Sequence, residues 1–177
     1  MKILFYCQHV LGIGHYFRSI EICAALNRHS VTLVLGGPSE DLPLPENIKT
    51  VRLPCLMMDR DFSALSVCEG ASDIETVKSE RQQMLVSLVN TLVPDIFLIE
   101  LYPFGRKAFS FELVPAIEAA KSLKSCKVVC SLRDILVEKQ GQEAYEERVV
   151  NILNRFFDGL LVHSDPSLLP LTRTFHS

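Results

Sequence analysis

The chain has 177 residues, 48% of them hydrophobic, and a formal net charge of -3. That composition excludes a disordered segment and is enough to bury one good core, so the expectation is a single domain. No run of lysine or arginine marks a nucleic-acid partner, which leaves small neutral or anionic ligands.

The N-terminus carries Lys2 and then the apolar run Ile3 to Cys7, too brief for a secretion signal. No segment reaches the roughly 20 apolar residues of a membrane span. The cysteines at 7, 23, 55, 68, 126 and 130 include no Cys-x-x-Cys pair. They read as reduced, buried thiols of a cytoplasmic protein, with no metal site expected.

Ile3 to Cys7 is the first predicted strand, and Ile20, Cys23, Ala24 and Leu26 follow helical spacing in a helix over about Tyr16 to Arg28. Between them lies Gly12-Ile13-Gly14-His15-Tyr16-Phe17-Arg18. It sets an imidazole at a helix start beside glycines that let a ligand approach the backbone, an arrangement that suits a general base. The same residues also satisfy a plain tight turn with His15 on the first helical turn. The loop is not a dinucleotide fingerprint, because Phe17 stands where a third glycine belongs and no carboxylate ends the second strand.

That second strand is Val31 to Leu35, stopped by Gly36-Gly37-Pro38, and the third is Ile48 to Leu53, stopped by Pro54. Continuous apolar runs of this kind suit strands buried on both faces of a parallel sheet. The stretch from Pro54 to Ser72 lacks a period and reads either as a lid or acceptor-binding loop or as a loop folded over the core. If exposed, Leu56, Met57, Met58 and Phe62 would form an apolar patch for a lipid-linked acceptor. Asp73 then caps a longer helix with Ile74, Val77, Met84, Leu85, Leu88 and Leu92 on one side, ending before Pro94. Its charges, Glu75, Lys78, Glu80 and Arg81, read as a solvated face.

The alternation continues with strand Ile96 to Glu100, a helix around Phe111 to Leu123, strand Lys127 to Leu132, a helix around Gln142 to Phe156 and strand Leu160 to His163. The predicted fold is α/β, a Rossmann-like doubly wound sheet of about six mainly parallel strands, in which ligands bind beyond the carboxyl ends of the strands. The polar residues at those ends are Gln8, His9 and His15, then Glu100, then Arg133 and Asp134, then His163, Ser164 and Asp165. Glu100 could answer Arg106 or Lys107 within its own loop, and Arg133 could pair with Asp134. Ser164 or Asp165 before Pro166 also suits a helix cap. The segment Tyr102-Pro103-Phe104-Gly105-Arg106 suits sugar stacking or a packed loop.

These segments resemble the N-terminal half of GT-B glycosyltransferases, in particular the group similar to the N-acetylglucosaminyltransferase that completes the lipid-linked peptidoglycan precursor. The matching residues are Lys2 to Cys7, the loop Gly12 to His15 with Arg18 and Ser19, the run Ile99 to Lys107, the segment Cys130 to Leu136, and Val162 to Pro166. The resemblance implies an acceptor-binding domain over 1–165, with 166–177 opening an interdomain linker to a donor-binding domain outside this sequence. It implies His15 and Glu100 as catalytic residues, and Gly12, Gly14, Arg18, Arg106, Arg133, Asp134, His163 and Ser164 as ligand contacts. A nucleotide-sugar is the expected co-substrate and no cofactor is expected. The expected partners are a sugar or lipid-linked acceptor and the missing donor domain or a subunit carrying it, with peripheral membrane contact left open. Alone, the chain is expected to be inactive. Two alternatives stand beside this reading: a nucleotide-sugar hydrolase of similar fold, which shares the Gly-x-Gly-His loop with an arginine three positions on, and a non-catalytic subunit that docks a donor domain through an apolar face around His163 to Phe175.

Overall fold

The computed structural model describes residues 1–9, 13–38, 44–59, 64–68, 73–133, 136, 140–165, 167 and 170–177. Its elements in chain order are β1 (Lys2–Cys7), α1 (Gly14–Ala25), β2 (Ser30–Leu35), β3 (Ile48–Arg52), β4 (Leu56–Met58), β5 (Leu65–Val67), α2 (Ile74–Leu92), β6 (Ile96–Glu100), α3 (Ser110–Ser122), β7 (Lys127–Arg133), α4 (Gln142–Phe156) and β8 (Gly159–His163). Among the described residues, six strands form one sheet in the order β3-β2-β1-β6-β7-β8, and every adjacent pair is parallel.

Strand pleating sends alternate side chains to opposite faces, and the core divides accordingly. Leu4 and Tyr6 of β1 join Phe97 and Ile99 of β6 beneath α2 and α3. Ile3, Phe5 and Cys7 pack with Leu98 against Tyr16, Ile20 and Cys23 of α1 on the other face. A third cluster sets Cys130 and Leu132 of β7 against Tyr145 and Val149 of α4, closed by Phe104 and Phe175. The sheet is therefore doubly wound, as the alternation predicts.

Several sequence expectations shift. The first helix begins at Gly14, so His15 belongs to its first turn. Asp73 caps α2 as expected, its carboxylate accepting from the Thr76 N–H at 3.1 Å. The aperiodic stretch after Pro54 contains an antiparallel pair, β4 with β5, clasped by a Cys55–Cys68 disulfide. Two of the six cysteines are thus bonded, which corrects the reading of all six as reduced thiols; Cys7, Cys23, Cys126 and Cys130 are buried and free. Leu56 is fully buried and Met57 and Met58 are half-buried, so these three form no exposed apolar patch, and Phe62 lies outside the described residues. Phe175 is likewise buried, its ring centroid 5.2 Å from that of Phe104, so it is no part of an exposed docking face around His163 to Phe175, whose Leu168 and Leu169 lie outside the described residues. No helix among the described residues is long and apolar enough to cross a membrane.

Candidate active site

Strand β1 is flanked by β2 on one side and β6 on the other, and the chain winds outward in both directions from that seam. The crevice beyond the carboxyl ends of β1 and β6 is the topological switch point, where an open α/β sheet presents its ligand site. Glu100, the last residue of β6, is delivered there with its side chain only 2% exposed. His15, on the first turn of α1, meets it: Nδ1 lies 2.6 Å from Glu100 Oε1. An ionised carboxylate only accepts, so Nδ1 carries the proton of this bond, and in the neutral imidazole Nε2 is then the nitrogen with the lone pair. No described residue bonds Nε2, and the His15 side chain is 20% exposed. The pair is an imidazole oriented by a buried acid and presenting a basic nitrogen, which is the minimum a positioned general base requires.

The start of α1 is left open around it. Ile13 occupies the cap position and offers no side-chain hydrogen bond to the first-turn N–H groups. A Cβ added to Gly14 would meet nothing within 4 Å, so packing does not require glycine at this position. The Cys7 thiol is nearby, pointing at the His15 carbonyl at 3.7 Å. Burial, reinforced by the Glu100 charge, pushes that thiol up to about 12, which removes it as a nucleophile.

A second set of residues surrounds the pair. After β6 the chain turns tightly, with the Tyr102 N–H donating to the Glu100 carbonyl at 2.9 Å and the Gly105 N–H to Leu101 at 2.8 Å. Tyr102 and Phe104 are each 2% exposed, so this segment is a packed loop and not a stacking surface. Its end throws Arg106 into the left-handed region (φ 59°) and brings the guanidinium back toward the site. Arg106 Nη2 lies 3.9 Å from Glu100 Oε2, with the arginine side chain 7% exposed. Arg18 is one helical turn beyond His15 on the same face of α1. His163, at the end of β8, shares a 2.8 Å hydrogen bond between its Nε2 and Ser131 Oγ. Burial holds its imidazole below the usual histidine range, helped by the Arg18 charge and opposed by Glu100.

The structure thus brings together His15, Glu100, Arg18, Arg106 and His163. Arg133 is half-buried at the end of β7 opposite His163, and Ser164 is half-buried just beyond β8. Asp165 turns to its own backbone, accepting from the Ser167 N–H at 2.9 Å and its hydroxyl at 2.6 Å. Gly12 and Asp134 lie outside the described residues. Among the described residues, no three His, Cys, Asp or Glu side chains gather as a metal site.

Sequence reasoning missed one network. Arg81 is fully buried and donates to both oxygens of Glu112 (2.7 and 2.6 Å), to the Gly36 and Pro54 carbonyls (2.9 and 2.6 Å) and to Gln8 Oε1 (2.7 Å). The Tyr6 hydroxyl donates to Glu112, and the Gln8 amide donates onward to the carbonyls of His9 and Leu56. This corrects the reading of Arg81 as part of a solvated face; Glu80 and the Glu75–Lys78 pair do fit that description. The signal was present, since Arg81 falls midway between Val77 and Leu85 on the buried stripe of α2. The network fixes the Gln8–His9 exit from β1, which feeds the glycine loop.

No known family model and no curated protein matches this sequence. Solved structures do. The chain superposes on UGT2 of Phytolacca americana, complexed with UDP-2fluoro-glucose and pterostilbene, with a TM-score of 0.55 at 14% identity over 98% of this chain and 50% of that one. The SsfS6 glycosyltransferase of Streptomyces sp. SF2575 gives 0.52 at 16% identity, covering 97% of this chain and 52% of the other. The fold is that of one half of a GT-B protein. UDP-GlcNAc 2-epimerase of Methanocaldococcus jannaschii has it too, with a TM-score of 0.52 at 10% identity over 98% of this chain and 42% of the enzyme. The chain spans about half the length of these GT-B structures or somewhat less.

Proposed function

We propose that this chain is the acceptor-side half of a GT-B glycosyltransferase. One observation carries the proposal: at the switch point, His15 Nδ1 is held 2.6 Å from the buried Glu100 carboxylate, the geometry in which a neutral imidazole would accept a proton on Nε2. In this reading an acceptor hydroxyl attacks the anomeric carbon of a nucleotide-sugar while its proton passes to His15 Nε2. The bond from that carbon to the diphosphate breaks, and the nucleoside diphosphate leaves with the electron pair. Glu100 keeps the imidazole in the useful tautomer and stabilises the cation that forms. The donor would bind to a second half, in a domain or subunit outside this sequence, with Arg133, His163 and Ser164 on the rim that faces it.

The test is heat-monitored unfolding of the 177-residue chain with nucleotides, nucleotide-sugars and candidate acceptor sugars, because a ligand of the native state raises its apparent stability. Stabilisation by an acceptor and not by nucleotides is expected; strong stabilisation by a nucleotide alone overturns the acceptor-side assignment. With the donor half supplied, His15→Gln should lower kcat by about 10²–10⁴-fold. A second reading follows from the epimerase neighbour, whose substrate by name is a UDP-sugar and whose fold is the same. In that reading water replaces the acceptor, and the product would be free sugar released from a nucleotide-sugar without any acceptor present.

A further inference from the structure

The site holds polar atoms that no described residue satisfies, three of them where Arg106 meets the Glu100 carboxylate. Glu100 Oε2, Arg106 Nε and Nη2, and Arg18 Nη1 are all buried without a hydrogen-bond partner. Arg106 and Glu100 are more than nine-tenths buried, and their 3.9 Å contact is an ion pair without a hydrogen bond. Glu100 Oε1 is committed to His15. Buried polar groups are normally paired, and this chain does pair a buried guanidinium where one is structural, since Arg81 engages a carboxylate, an amide and two carbonyls. The unpaired set therefore marks a place prepared for something else.

The atoms specify what that is. Two guanidinium groups present N–H donors in the fork geometry that suits the oxygens of a carboxylate or phosphate. Glu100 Oε2 asks for a donor, which an anion lacks and a hydroxyl supplies. A hydroxyl placed between Glu100 Oε2 and Arg106 Nη2 could satisfy both, with the anionic oxygens continuing onto Arg106 and Arg18. We propose that Arg106, with Arg18, binds the anionic group of an acidic acceptor sugar, a sugar phosphate or sugar acid whose hydroxyls reach Glu100 and His15. Calling the ligand an acceptor rests on the glycosyl-transfer reading above; the anion site itself rests on the unpaired atoms.

The test is calorimetric titration of the full chain, at constant ionic strength, with glucose 6-phosphate, glucuronate, inorganic pyrophosphate and uncharged glucose. The expected result is binding of the two sugar anions at least tenfold tighter than glucose. Arg106→Gln should erase that preference, Arg106→Lys should restore part of it, and Arg155→Gln, an exposed cation on α4, should leave it unchanged. If Arg106→Gln fails to fold, Arg18→Gln carries the same test. Equal affinity for glucose and the sugar anions, or an anion preference that survives Arg106→Gln and Arg18→Gln, overturns the proposal. Pyrophosphate binding tenfold tighter than either sugar anion also overturns it, by making the donor's leaving group the occupant. Either failure leaves the transferase reading standing, because that reading is decided by nucleotide stabilisation and by His15→Gln.

Discussion

Arg81 and Arg106 are both buried and both face a glutamate, yet they do so in opposite ways. Arg81 meets Glu112 in a bidentate pair and spends its other donors on Gly36, Pro54 and Gln8. Arg106 reaches only to 3.9 Å from Glu100 and makes no hydrogen bond with Nε or Nη2. The first arrangement ties α2, α3 and the ends of β1 and β2 into one body; the second leaves a buried guanidinium beside Glu100 with Nε and Nη2 unpaired. The saturated guanidinium joins elements, and the unsaturated one stands beside the His15–Glu100 pair.

The same substitution at the two arginines tests that distinction most severely. Arg81→Met should cost about 3–5 kcal/mol in urea unfolding, because it strands Glu112 as an unpaired buried carboxylate. Arg106→Met should cost about 1 kcal/mol or less, since no hydrogen bond is lost. Comparable losses at both would collapse the comparison.

A pair of glycines sharpens it at the next level. A Cβ at Gly36 would collide with the Gln8 amide and the Arg81 guanidinium, whereas one at Gly14 meets open space. Gly36→Ala should therefore destabilise by about 1–3 kcal/mol. Gly14→Ala should be neutral or gain about 0.5 kcal/mol from helix propensity, while weakening acceptor binding if a ligand lies against that backbone. Thermal unfolding with and without acceptor separates the two effects.

The smallest effect concerns pH. His163 is held below its ordinary value of 6.5 by burial and then by Arg18. Between that depressed value and 6.5 the unfolded chain binds more protons than the native one, so stability rises with pH across this window. The contribution is complete above 6.5 and lost as pH falls through the depressed value. His163→Gln should flatten the slope of the unfolding midpoint between about pH 5 and 7; an unchanged slope would show that the imidazole does not titrate with folding.

The sheet was legible because strands buried on both faces are rich in apolar residues, and Ile3 to Cys7, Val31 to Leu35 (Thr32 apart) and Ile96 to Ile99 are. His15 and Glu100 were legible as separate strand-end residues, since the switch-point rule gathers such positions. Their direct contact was not, because it depends on how far α1 reaches back across the seam. The Arg81 network was hidden for a related reason: its partner Glu112 lies on a different helix, and four neighbouring charges on α2 resemble a wet surface when read in isolation. Residues 56–58 and 65–67 were opaque because three-residue strands carry no measurable period, and the Cys55–Cys68 bond joins positions whose spacing announces nothing.

The seam between β1 and β6 also sets a schedule for synthesis. Strand β1 leaves the ribosome before both of its neighbours, and Lys2 finds Ser30 well before Ile3 can find Ile96 to complete its other edge. During that interval a largely apolar strand keeps one row of backbone groups unpaired, the kind of edge that recruits chaperones or other nascent chains. His15 and Glu100 stand on opposite sides of the same delay, so their contact can form only when the hazard has passed.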